Sequence, residues 1–211
     1  MRGNETRLRL CCSCGGAILA LFLVAGCASR ASVPPEATND LALLRTEAQM
    51  ANAQIEKTTD ALEDLTTKPQ QDLKPQYKRF ALELTELLRV EANATAQREA
   101  TEAQITGHFG KWSDRIKAFE TAEMRELGAE RHAASMQSFK ELQDKINSLR
   151  SAYQPFAKDL RDIKSFLAAD LTTDGLAGIK QVTDRALEAK KVILARLSAV
   201  VSQLDALMKT S

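Results

Sequence analysis

The strongest constraint on this chain is an apolar pattern that keeps one rhythm from Phe139 to Leu167. Phe139, Leu142, Ile146, Leu149, Tyr153, Phe156, Leu160, Ile163 and Leu167 follow one another in steps of three and four. An α-helix turns once in about 3.6 residues, so these steps put every one of them on a single stripe. A strand would need alternation by two, and no segment of the chain shows it. A stripe of this length is stable only against another of its kind, as in a coiled coil or bundle.

The rest of the chain supplies the partners. Leu41, Leu44, Ala48, Ala51, Ile55, Thr58, Leu62 and Leu65 form a second seam, with Asn39 or Asp40 expected to cap its helix. Lys68-Pro69 ends it, because the residue before proline is pushed out of the helical region. Pro75 suits the first turn of the next helix, where its missing N–H costs nothing. That helix carries Tyr77, Phe80, Leu84, Leu87 and Leu88, then a stretch from Glu91 to Glu102 with few large apolar residues. Apolar spacing resumes at Ile105, Phe109, Trp112, Ile116 and Phe119, across Gly107 and Gly110, which weaken the helix and could bend it. Pro155 interrupts the third seam chemically but not in register, so a kink is expected rather than two helices. Thr172-Thr173-Asp174-Gly175 supplies a turn and a cap before a last seam running from Leu176 to Leu207.

These readings predict an all-α chain: an elongated antiparallel bundle of about four helices with coiled-coil seams. The helices are expected near 39–66, 75–119, 122–170 and 173–208. The turn near 120–122 rests on equal arm lengths, since no Gly or Pro enforces it. Two arms of roughly 45 residues would extend about 65–70 Å.

The N-terminus reads as an address. Arg2, Arg7 and Arg9 precede a short apolar run, Ala17–Val24, and small residues follow it, as in a secretory signal. The run is shorter than the roughly 20 residues that span a bilayer. Leu23-Val24-Ala25-Gly26-Cys27 resembles the lipobox of bacterial lipoproteins. The resemblance implies acylation of the Cys27 thiol, cleavage after residue 26 and attachment to a membrane through acyl chains. Residues 27–38 then form the lipidated Cys and a flexible tether, and residues 39–211 the helical domain. Ala28, in place of an aspartate, implies by the enterobacterial sorting rule an outer-membrane anchor facing the periplasm.

Charge and composition narrow the function. The formal charge of +1 loses Arg2, Arg7 and Arg9 and gains by the loss of Glu5, which leaves −1 after cleavage. That balance argues against a nucleic-acid partner, which calls for a concentrated basic face. Cys11, Cys12 and Cys14 leave with the leader, so no free thiol remains beside Cys27. His108 and His132 lack the Glu-x-x-His spacing of a bundle metal centre, since Ile105 and Ala129 stand three residues before them. Gly107-His108-Phe109-Gly110-Lys111 fails as a phosphate loop, with Ile105 and Trp112 where Gly and Ser or Thr are needed. No metal, cofactor or catalytic set is expected, and the chain reads as non-enzymatic. Ile105, Phe109, Trp112, Ile116 and Phe119 are the one stretch that could line an apolar groove, with core packing as the competing reading.

The stretch from Trp112 to Leu176, with Met124-Arg125, Ser135, Leu149, Tyr153-Gln154-Pro155-Phe156, Leu160-Arg161-Asp162 and Asp170-Leu171, resembles an uncharacterised bacterial family of secreted coiled-coil proteins. That family is catalogued as a domain of unknown function, and its members begin with a lipoprotein-type signal. Its usual Leu-Lys-His-Asn-Leu-Asn is Phe166-Leu167-Ala168-Ala169-Asp170-Leu171 here. The resemblance supports the turn near Glu120–Ala122 and carries over no functional residues. The expected role is a lipid-anchored envelope scaffold, spacer or docking surface that meets an envelope protein or the cell wall. The alternative is a bundle that holds an apolar ligand or lipid, for which an interior cavity of at least about 300 Å³ is expected.

Overall fold

The computed structural model describes residues 37–209. Five α-helices pack against one another, with no strand among the described residues. They are α1 (Thr38–Thr67), α2 (Lys74–Lys117), α3 (Ala122–Ala169), α4 (Thr173–Gly178) and α5 (Lys180–Lys209). The fold is the expected all-α bundle. Around the ring α1 neighbours α2 and α5, and α3 neighbours the same two, in an up-down-up-down arrangement. Cys27, the leader and most of the tether lie outside the described residues.

The expected final helix is divided into α4 and α5 at Ile179, whose φ −89° and ψ 0° relax one turn. The backbone ladder still crosses the break: the Ile179 N–H donates to the Gly175 carbonyl at 3.2 Å, and the Thr183 N–H to that of Ile179 at 2.9 Å. The beginning of α1 also differs from expectation. It starts at Thr38, and neither Asn39 nor Asp40 caps it. Asp40 instead reaches across to α2, where the Gln104 amide, assigned with its nitrogen toward the carboxylate because the opposite assignment sets oxygen against oxygen, donates to its two oxygens at 2.8 and 3.1 Å and His108 Nε2 lies 4.0 Å away. A carboxylate in the first turn still favours the positive end of the helix dipole. α2 runs unbroken through Gly107 and Gly110, and α3 through Pro155. Pro155 is exposed, so water can reach the Ser151 carbonyl that it leaves without a donor.

The turn between α2 and α3 carries a signal that needed neither Gly nor Pro. Thr121 has extended backbone and accepts from the Met124 N–H, and Arg125 reaches back to donate to the carbonyls of Phe119 (2.6 Å) and Glu120 (3.0 Å). Thr121 thereby caps the start of α3, and Arg125 answers two carbonyls of the turn itself. At the other end Gln76 is buried and ties the α1–α2 turn, donating to the Asp64 and Lys68 carbonyls, each at 3.1 Å.

Two apolar cores stack along the bundle. One holds Ile55, Leu62, Leu65, Phe80, Leu84, Phe156, Leu160 and Ile163 near the α1–α2 turn. The other holds Leu41, Leu44, Ile105, Phe139, Leu142, Val200 and Leu204 at the opposite end. Each such side chain contributes about 1.5–3 kcal/mol on burial. α2 and α3 have 44 and 48 residues, against 30 in α1 and in α5. The surplus projects as a two-helix hairpin. Asp40 at the start of α1 meets α2 at Gln104 and His108, which leaves residues 110–117 of α2 beyond the ring, roughly 12 Å.

Candidate functional site

Of the five residues singled out as a groove, Ile105, Phe109, Trp112 and Ile116 follow one face of α2, and Phe119 lies in the turn beyond its end. Ile105, Phe109 and Ile116 are buried, Trp112 is half-buried and Phe119 is exposed. Their face is filled by α3. The Phe109 ring packs on Trp112 (6.2 Å between centroids), on Phe139 (6.0 Å) and edge-on against His132 (5.5 Å). His132 Nε2 lies 3.1 Å from the Phe109 carbonyl, which can only accept, so that nitrogen carries the hydrogen. Below this cluster Gly128 lets the helices close: a Cβ there would stand 3.0 Å from Ile116 Cγ1. Past it the hairpin exposes Phe119, Met124 and Leu127 together at its tip.

The open space lies elsewhere. A cavity of about 140 Å³ runs between the two cores, walled by all four long helices. Ala48, Ala51 and Ile55 of α1, Leu87, Ala94 and Thr95 of α2, Ile146 and Leu149 of α3, and Ile193, Leu197 and Val200 of α5 form its walls. From Leu44 to Ile55 these walls cover about 16 Å of helix axis. The cause is local. Where α1, α3 and α5 offer aliphatic residues, α2 offers Glu91–Glu102, with Ala94 and Thr95 facing the interior. α2 and α3 are the two longest helices and yet the least closely associated neighbours in the ring.

Polar groups gather in the same walls. Glu47 Oε2, Arg98 Nε and Tyr153 Oη are buried without a hydrogen-bond partner, and all three residues line the cavity. Arg98 spends its other nitrogens on Glu102 (2.9 Å) and Glu99 (3.2 Å). Burial, reinforced by the Glu91 charge, pushes the Tyr153 hydroxyl well above its ordinary pKa, so it remains a neutral donor. At about half the volume expected of a carrier, the cavity is neither a filled interior nor a drug-sized pocket. A separate surface depression near Asp144, Ser148 and Arg196 is lined mainly by charged side chains, and Arg196 there donates to the Ser148 carbonyl.

Among the described residues no cluster of three or more His, Cys, Asp or Glu could hold a metal ion. Likewise, no described helix is long and apolar enough to cross a membrane.

A four-helix ring with a projecting hairpin and a narrow interior slot defines an antiparallel helical-bundle protein. The family model described as "Protein of unknown function (DUF2959)" matches residues 40–210, so the chain belongs to that family. The match takes in all of α2 to α5 and nearly all of α1, well beyond the stretch from Trp112 to Leu176 that carried the resemblance. No curated protein and no solved structure gives a significant match.

Proposed function

We propose that this chain is a lipid-anchored protein of the bacterial cell envelope, held at the outer membrane through acyl chains on Cys27. Its bundle acts as a non-catalytic scaffold, with the α2–α3 hairpin tip as its docking surface. The observation that carries this reading is where the tip stands. Phe119, Met124 and Leu127 are exposed at the same end of the bundle at which α1 begins, since Asp40 meets Gln104 and His108 just before the hairpin leaves the ring. The segment that leads back to Cys27 joins the bundle at this end, and a chain from Cys27 to Thr38 can span at most about 40 Å. Two or more acyl chains hold such a protein durably at a surface. The tip then meets the membrane-proximal part of a neighbouring envelope protein, while the α1–α2 turn points away.

Photo-crosslinking in cells tests this. A crosslinker at Leu127 is expected to trap a defined protein partner, and one at Gln70 in the far turn is not. Equal capture at both positions, or none at Leu127 in the membrane-bound form, refutes the docking role.

A further inference from the structure

We propose that the interior slot binds a single unbranched aliphatic chain with a neutral, hydroxyl-bearing head. The walls set the body. Aliphatic side chains come from all four helices, interspersed with polar ones such as Thr95 and Tyr153, and the space exists because α2 brings the small Ala94 and Thr95 to its middle. The volume, about 140 Å³, is close to that of engineered apolar cavities, about 150 Å³, that take up a benzene-sized molecule, and the exposed Glu91, Arg150 and Gln154 mark the side on which this one opens to solvent. The extent of about 16 Å along the axis favours a thin chain over a ring.

The polar groups set the head. Asp40 meets Gln104 and Gln54 meets Glu83, so Glu47, midway along that register, lies opposite about residue 94 of α2, a little over a turn from Arg98. One end of the slot thus holds an acceptor without a donor, Glu47 Oε2, and a donor without an acceptor, Arg98 Nε. Leaving such atoms unmatched costs about 1–3 kcal/mol each. A hydroxyl both donates and accepts, and so satisfies the pair. The fixed charges in the walls are two of each sign, Glu47 and Glu91 against Arg98 and Arg150, which gives neither a carboxylate nor an ammonium head a net advantage over its loss of hydration.

The test titrates the full chain, purified in a sterol-based detergent that has no alkyl chain, with 1-butanol through 1-octanol by saturation-transfer NMR. Saturable binding is expected, tightening about fourfold per methylene until the slot is full. Octanoate and octylamine are expected to bind at least tenfold more weakly than 1-octanol. A94L and A51L, which fill the slot from two helices, are each expected to abolish binding without lowering the melting temperature, and either one that folds suffices. Non-saturable uptake, indifference of the affinity to chain length, equal binding of octylamine or octanoate, or full binding by a folded A94L or A51L overturns the proposal. A slot that takes up only water gives the first of these results.

Discussion

Gly175 is the position where adding one methyl group should do the most harm for its size. It is the third residue of α4, and its N–H donates to Thr172 Oγ1 at 3.0 Å, while the Thr172 hydroxyl donates to Asp170 Oδ1 at 2.7 Å. The chain folds back so closely that a Cβ on Gly175 would lie 2.3 Å from the Asp170 carbonyl oxygen and 3.1 Å from its Cγ. The nearer atom is backbone, so the loop itself must move by about 1 Å or more to reach ordinary contact. In an open helix, Gly→Ala gains up to about 1 kcal/mol. Here overpacking costs about 1–3 kcal/mol and disturbance of the Thr172 cap about 1 kcal/mol more. We expect Gly175→Ala to destabilise the fold by about 1–3 kcal/mol net. The matched control is Gly107→Ala in α2, where nothing lies within 4 Å of the new methyl group and a gain of up to about 1 kcal/mol is expected. Urea denaturation followed by circular dichroism reads both. Stability of Gly175→Ala equal to that of Gly107→Ala would refute the steric argument.

Other expectations follow from the same packing. Ile146→Asp, on the buried stripe, should lower the stability by several kcal/mol, whereas its neighbour Lys145→Asp should change it little; similar melting curves would mean that the stripe is not a core. Thr183 buries a hydroxyl with no partner, so Thr183→Val should stabilise by about 1 kcal/mol in the same denaturation assay. Tyr153 keeps its proton in the fold beyond the ordinary value of 10.0, so above about pH 10 the unfolded chain deprotonates first. Stability should therefore fall as pH rises through that range, and Tyr153→Phe should flatten the fall. For the anchor, Cys27→Ser should abolish incorporation of radiolabelled fatty acid into the protein in cells, and equal label in wild type and variant would end the lipoprotein reading.

The seams were legible because burial here obeys the helix period. Phe139, Leu142, Ile146, Phe156, Leu160, Ile163 and Leu167, named from spacing alone, are all buried. The polar members of the interior were legible only in part: Thr58 falls on the expected seam, but Gln54 does not. Gln54 is buried because its amide donates to the Glu83 carbonyl at 3.0 Å and carboxylate at 2.8 Å, and Thr58 because its hydroxyl bridges the Gln54 and Glu83 carbonyls. Glu83 lies on another helix, α2, and nothing in the local sequence distinguishes such a glutamine from a solvated one. The α2–α3 turn was placed by arm length, although Thr121 and Arg125 were a sufficient local signal for it.

The slot, by contrast, was present in the sequence as a mismatch between seams. Glu91–Glu102 stood out for its lack of large apolar residues, but a weak stretch in one helix reads equally well as a solvated face until its register against the other helices is known. That register decides the matter. The members of the neighbouring seams that fail to become fully buried are Ala51 in α1 and Leu149 and Tyr153 in α3, and each of them lines the slot. Three seams keep their rhythm through the middle of the bundle, and the fourth does not answer them. Had α2 placed leucine at 94 the two cores would be one. The chain instead holds two cores apart around a space whose walls contain Glu47, Arg98 and Tyr153 with atoms unmatched, and a polar group left unmatched in a protein interior calls for an occupant or a reason.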